Sequence, residues 1–121
     1  MAYYVDGYVL PVPKKNLQAY RRLAQSGVKM WKKYGAIEYF ECIGDDLAPK
    51  MAGIKFPNTV RAKPGEKVIF SFIVFKSKAH RDRVNAKVMK EFMNDPKFKD
   101  MPMPFDMKRV AYGGFKVLVN A

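Results

Sequence analysis

Asp6 stands between Tyr4 and Tyr8 in the first extended stretch of the chain, Tyr3 to Val12. A carboxylate in such apolar company needs a partner, because a charge withdrawn from water without one is costly. Arg109, in the last extended stretch, is of the right type. With Tyr8 beside them, the pair suits small-molecule chemistry: Asp6 as base or anchor, Arg109 stabilising an anion, Tyr8 orienting a substrate. Glu41 and Ser71 are further polar residues set in apolar, strand-like surroundings. Together the five outline a candidate pocket for a small-molecule ligand. The plainer alternative is an Asp6–Arg109 pair kept for structure alone, with nothing bound.

Other chemistries find less support. His80 is the single histidine and Cys42 the single cysteine. Far apart in sequence, they suggest no nucleophilic pair. His80 is expected to be structural or exposed, and Cys42 an inert thiol buried in a strand. Gly44-Asp45-Asp46 reads as a turn, since two carboxylates are too few for a dedicated calcium loop. Phosphate loops and dinucleotide fingerprints are absent. No cofactor and no metal is expected.

Periodicity sets out the elements that must position these residues. Tyr3 to Val12 reads as a strand stopped by prolines. Asn16 is placed to cap a helix from Leu17 to Tyr34, with Leu17, Tyr20, Ala24, Val28 and Trp31 as its apolar stripe. Ala36 to Ile43 is a second strand. Residues 44–65 are either a lid or contain a short strand near Ile54 to Val60. Glu66 to Lys76 is the third strand. Ser77 caps a helix from Lys78 to Asn94, whose inner side is expected to carry Val84, Val88, Met89 and Phe92. Met107 to Val119 is the last strand, with a bulge at Gly113-Gly114. The order is βαββαβ in one domain, 1–121, a split βαβ arrangement of the α+β class.

Four separated stretches carry a family resemblance: Tyr4-Val-Asp6-Gly7-Tyr8-Val, Glu41-Cys42-Ile-Gly44-Asp45-Asp46, Ser77-Lys78-x-x-Arg81-Asp82-x-x-Asn85, and Met103-Pro-Phe-Asp106-Met-Lys-Arg109-Val-Ala-Tyr112-Gly-Gly-Phe115. In this order they resemble the YbaA-like bacterial proteins, a domain-of-unknown-function family, across nearly the whole chain. The resemblance implies a ferredoxin-like fold within the dimeric α/β-barrel superfamily, and no assigned reaction. Some members of that superfamily are cofactor-independent oxygenases or related small enzymes, an analogy at the level of fold.

A homodimer is also expected from the third strand itself. A sheet covered by helices on one face should alternate polar with apolar. Here Val68, Phe70, Phe72 and Val74 form one apolar face, and Ile69, Ile73 and Phe75 the other, broken only by Ser71. Helices cover one side; a second subunit, sheet to sheet, would cover the other. The competing reading hides that strand beneath the long loop. In the dimer, Tyr3, Val5, Gly7 and Val9 are expected to face the helices, while Asp6 and Tyr8 face the barrel interior.

Charge offers an alternative function. Lys and Arg number 23 against 11 acidic residues, a net +12. Lys15, Arg22, Lys29 and Lys33 line one side of the first helix, and a second basic cluster lies on the second helix. Such faces attract polyanions such as nucleic acid, although a solvated helix surface is the plainer reading. RNA recognition through the sheet is disfavoured, because Val68 and Ile69 stand where an RNA-recognition motif needs a basic residue and a glycine. A single cysteine, no visible leader and no membrane-length apolar run lead to the expectation of a cytoplasmic protein without membrane contact.

Overall fold

The computed structural model describes residues 3–121. Four strands, β1 (Tyr4–Pro13), β2 (Glu38–Ile43), β3 (Glu66–Phe75) and β4 (Ala111–Lys116), form one antiparallel sheet in the order β2-β3-β1-β4. Two long helices, α1 (Leu17–Lys33) and α3 (Lys78–Asn94), pack on one face of it. Two single-turn helices, α2 (Phe56–Thr59) and α4 (Pro96–Lys99), lie in the connections. The βαββαβ order is the one read from periodicity.

Local chemistry fixes most element ends. Ser77 Oγ accepts the His80 N–H at 3.1 Å and so starts α3, as its sequence suggests. Pro96 lies two positions past the last residue of α3, beyond Asp95. Gly35, at φ 111°, turns the chain out of α1 in the left-handed region that glycine enters without strain. Asn16 precedes α1 but does not cap it through its side chain; its Nδ2 donates instead to the Pro104 carbonyl at 3.1 Å. The long connection forms the short helix α2 rather than a strand. The last strand is shorter than expected, because Met107–Arg109 closes into a 3-10 turn. Gly113 and Gly114 pair in unbroken register with Gly7 and Asp6, so β4 has no bulge there.

Between sheet and helices lie two joined cores. Met30, Trp31 and Ala36 meet Ile73, Phe75, Val84 and Val88 in one, and Leu10, Val12, Tyr20 and Ile69 form the other. Tyr8 packs against both. Met89 turns outward, half exposed, while Phe92 joins the core, so the inner face of α3 runs through Val84 and Val88. Each large side chain so buried stabilises the fold by roughly 1.5–3 kcal/mol.

The other sheet face is apolar and open. Phe40, Phe70 and Phe115 are exposed at 48%, 44% and 61%, and Phe72 stacks on Phe40 with centroids 5.2 Å apart. The long loop therefore leaves the middle of this face bare. Among the described residues no helix is long and apolar enough to cross a membrane.

Candidate functional site

Strand pairing decides where the candidate residues point, because directly paired residues share a face. Asp6 pairs with Ile73, and Ile73 is fully buried under the helices. Tyr8 pairs with Ser71 on one side and Tyr112 on the other, and Ser71 pairs with Glu41. A row Glu41–Ser71–Tyr8–Tyr112 thus crosses the whole sheet on its helix-covered side, next to Asp6. This reverses the expected facing: the polar residues lie inside the protomer, and Val5, Gly7 and Val9 form the open face. Both alternating sets of β1 mix tyrosine with apolar residues, so a period of two could not tell which set met the helices.

Asp6 is fully buried, and its partner is Arg81 of α3 rather than Arg109. Arg81 Nη1 donates to Asp6 Oδ1 at 2.7 Å and to Tyr112 Oη at 2.9 Å, while its Nε reaches Asp82 at 2.8 Å. The guanidinium lies over the Tyr4 ring, 4.9 Å from its centroid. Asn85, one turn on, donates to Asp6 Oδ2 at 3.3 Å and accepts the Trp31 indole N–H at 2.9 Å. Gly114 makes room here: a Cβ would collide with the Tyr4 hydroxyl and come within 2.9 Å of its ring carbons. Each oxygen of Asp6 thereby accepts a bond, one of them from a cation that neutralises its charge.

Glu41 is held differently. Its Oε1 accepts from Tyr20 Oη at 2.7 Å and its Oε2 from Tyr39 Oη at 2.6 Å. Among the described residues no lysine, arginine or histidine lies within ion-pair distance of it. Burial pushes its carboxyl up, opposed by the two phenol hydrogen bonds. Burial also raises the hydroxyls of Tyr20, Tyr39 and Tyr8, and the nearby carboxylates add to it, so all three stay protonated donors. Glu41 lines a groove of about 780 Å³ between α1 and β2, walled by Leu17, Ala24, Val28 and Ile69 and edged by Arg21 and Lys29. That volume lies in the range of small-molecule sites.

Arg109 lies apart from this site. Opposite Asp6 on β4 stands Gly114, and Arg109 lies before the strand begins. Its guanidinium grips Glu66 through two bonds of 2.7 and 2.8 Å, and Asp106 through one of 3.0 Å. Arg109 holds the Glu66 carboxyl down at about 2. Cys42 is exposed on the open face rather than buried. His80 is half-buried, and its Nδ1 accepts the Lys76 N–H at 3.0 Å. Burial, with Lys76 and Arg83 nearby, lowers its pKa. Lys15, Arg22, Lys29 and Lys33 are all exposed, with Lys33 tied to Glu91 at 2.9 Å. Among the described residues no three His, Cys, Asp or Glu side chains gather as metal ligands would.

Tyr20, Tyr39, Trp31, Arg81, Asn85 and Tyr112 are the site residues that sequence reading passed over. Arg81 and Asn85 carried a usable signal: four apart, they share a helix face with the inward Val84 and Val88. An arginine and an amide on the buried side of a helix imply a buried acceptor opposite.

A four-stranded antiparallel sheet with two long helices on one face, connected βαββαβ, is the ferredoxin-like α+β fold. Two solved structures share it, both dimeric ferredoxin-like proteins from an uncultured marine organism. One has a TM-score of 0.63 at 9% identity, with 100% of both chains covered. The other has 0.54 at 12%, covering 100% of this chain and 98% of that one. Residues 3–107 match the family model described as "Protein of unknown function (DUF1428)", and the chain belongs to that family. Uncharacterized protein YbaA of Escherichia coli (strain K12) is 39% identical over 119 residues, 97% of each chain, as the four motifs implied.

Proposed function

We propose that this protein is a homodimer joined through its open sheet faces, and that each protomer binds a small molecule in the groove between α1 and β2. The division between the two faces of the sheet carries this reading. One face offers phenylalanines and valines to solvent, with no polar residue at its centre. The other gathers Asp6, Tyr8, Glu41 and Ser71 beneath the helices, with Tyr112 at its exposed edge. Contiguous exposed apolar patches beyond a few hundred Å² usually mark an interface. The two marine neighbours are themselves described as dimeric, which supports a dimer here.

Of the polar residues, those around Asp6 satisfy one another, whereas Glu41 opens on a groove. Binding is therefore assigned to Glu41 and Tyr20, with Tyr39 fixing the second oxygen of Glu41, and Asp6 with Arg81 holds the helix on the sheet. Ser71 and Tyr8 connect the two clusters. Native mass spectrometry of the protein purified from its own host tests both halves. A dimer with one small-molecule adduct per protomer is expected. A monomer overturns the interface, and a dimer without any adduct overturns the binding.

Polyanion association is the second reading, favoured by the exposed Arg22 and Lys29 of α1 and Lys15 in the turn just before it. It requires binding to duplex DNA that weakens steeply as salt rises. Affinity that does not change with salt would exclude it.

A further inference from the structure

The fold holds three internal carboxylates of β1, β2 and β3, and among the described residues only two of them have a cation. Asp6 has Arg81 at 2.7 Å, and Glu66 has Arg109 at 2.7 and 2.8 Å. Glu41 has two tyrosine hydroxyls and no positive charge among the described residues. A carboxylate accepts about four hydrogen bonds, and Glu41 uses one on each oxygen. Charges withdrawn from water are ordinarily paired, so the missing partner is the feature to explain. The groove that Glu41 lines contains two other charged side chains, both basic: Arg21 and Lys29, four and twelve positions beyond Leu17 along α1. Leu17, Ala24, Val28, Ile43 and Ile69 give the groove its apolar lining, beside Gln18 and Gln25.

Resting on the groove as the binding site, we infer that its ligand is amphoteric: a protonated amine meets Glu41, an apolar body meets Leu17, Val28 and Ile69, and an anionic group meets Arg21 and Lys29. An amine supplies the cation that the protein gives Asp6 and Glu66 but withholds from Glu41. Arg21 and Lys29 repel a simple cation, so a ligand carrying an acid as well is the one both charges select. The hydroxyls of Tyr20 and Tyr39 fix the carboxylate and leave its remaining lone pairs for the ligand.

Titration of the full-length protein with para-aminomethylbenzoic acid, benzylamine and benzoate, followed by amide chemical shifts, tests the inference. The amphoteric probe is expected to bind with shifts at Glu41 and Val28, and each half-probe at least about tenfold more weakly. Glu41→Gln should weaken the amphoteric probe and benzylamine while leaving benzoate unaffected. Arg21→Glu, at an exposed position that does not threaten folding, should weaken the amphoteric probe and benzoate. Benzoate binding as well as the amphoteric probe overturns the inference, as does amphoteric binding undiminished in Glu41→Gln. Absence of shifts in the groove with all three probes also overturns it. A native adduct lacking an amine would leave groove binding standing and remove only the amphoteric assignment.

Discussion

At the scale of single residues, three carboxylates in one sheet behave in three ways because their neighbours differ. Asp6 and Arg81 are a buried pair, and removing one partner strands the other charge. Arg81→Ala is expected to cost about 3–5 kcal/mol in urea unfolding; a loss below about 1 kcal/mol would show the pair to be idle. Glu66 is held at about 2 by Arg109, below its ordinary 4.5. A lowered folded-state value means that its contribution is whole above the ordinary range and disappears as pH falls toward 2. Glu66→Gln should therefore flatten the acid side of the stability–pH curve, and an unchanged acid limb would contradict this. Glu41 has the opposite sign. Burial raises it, so its ionisation opposes folding, and its contribution declines as pH rises through the raised value. Glu41→Gln should be no less stable than the parent near neutral pH, judged by urea midpoints, because an amide can keep both tyrosines hydrogen-bonded. A marked loss there would mean that the charged form is stabilised in the protomer after all.

At the scale of elements, the close approach of β1, β4 and α3 depends on a missing side chain. Gly114 lies where the Tyr4 ring folds over β4 to meet the Arg81 guanidinium. Gly114→Ala forces that ring aside and is expected to destabilise by about 1–3 kcal/mol. Thermal melts of the variant would check this; an unchanged midpoint would show that the ring moves freely. α1 has a different task. One edge, through Tyr20, anchors Glu41, and the neighbouring row presents Arg21 and Lys29 to the groove. The helix that closes the core therefore also writes the polarity of the groove.

At the scale of the whole molecule, the open face is where the proposed dimer would join. Phe70 sits at its centre, 44% exposed, between Cys42 of β2 and Val9 of β1. Phe70→Arg leaves the helix-side core untouched and places a charge where two apolar faces would meet. Sedimentation should show a folded monomer for the variant and a dimer for the parent; a dimeric variant would mean that the subunits join elsewhere. Cys42 pairs with Phe70 and shares its face, so in the proposed dimer it is sheltered despite its exposure in the protomer.

The βαββαβ order, the Ser77 cap and the doubly apolar β3 were all legible in the chain, because each depends on neighbours a few positions away. So was the list of polar residues worth following, since Asp6, Glu41 and Ser71 break apolar strands. Their facing was not legible. A strand's alternation sorts residues into two sets but carries no label for the covered one, and β1 has tyrosines in both. The partner of Asp6 was likewise out of reach. Arg81 lies 75 positions away, and choosing it over Arg109 requires knowing how α3 lies across the sheet and where β4 begins. The groove at Glu41 depends on the same placement: it exists only because α1 settles over β2, bringing Tyr20 onto one oxygen of a carboxylate whose other oxygen Tyr39 already holds.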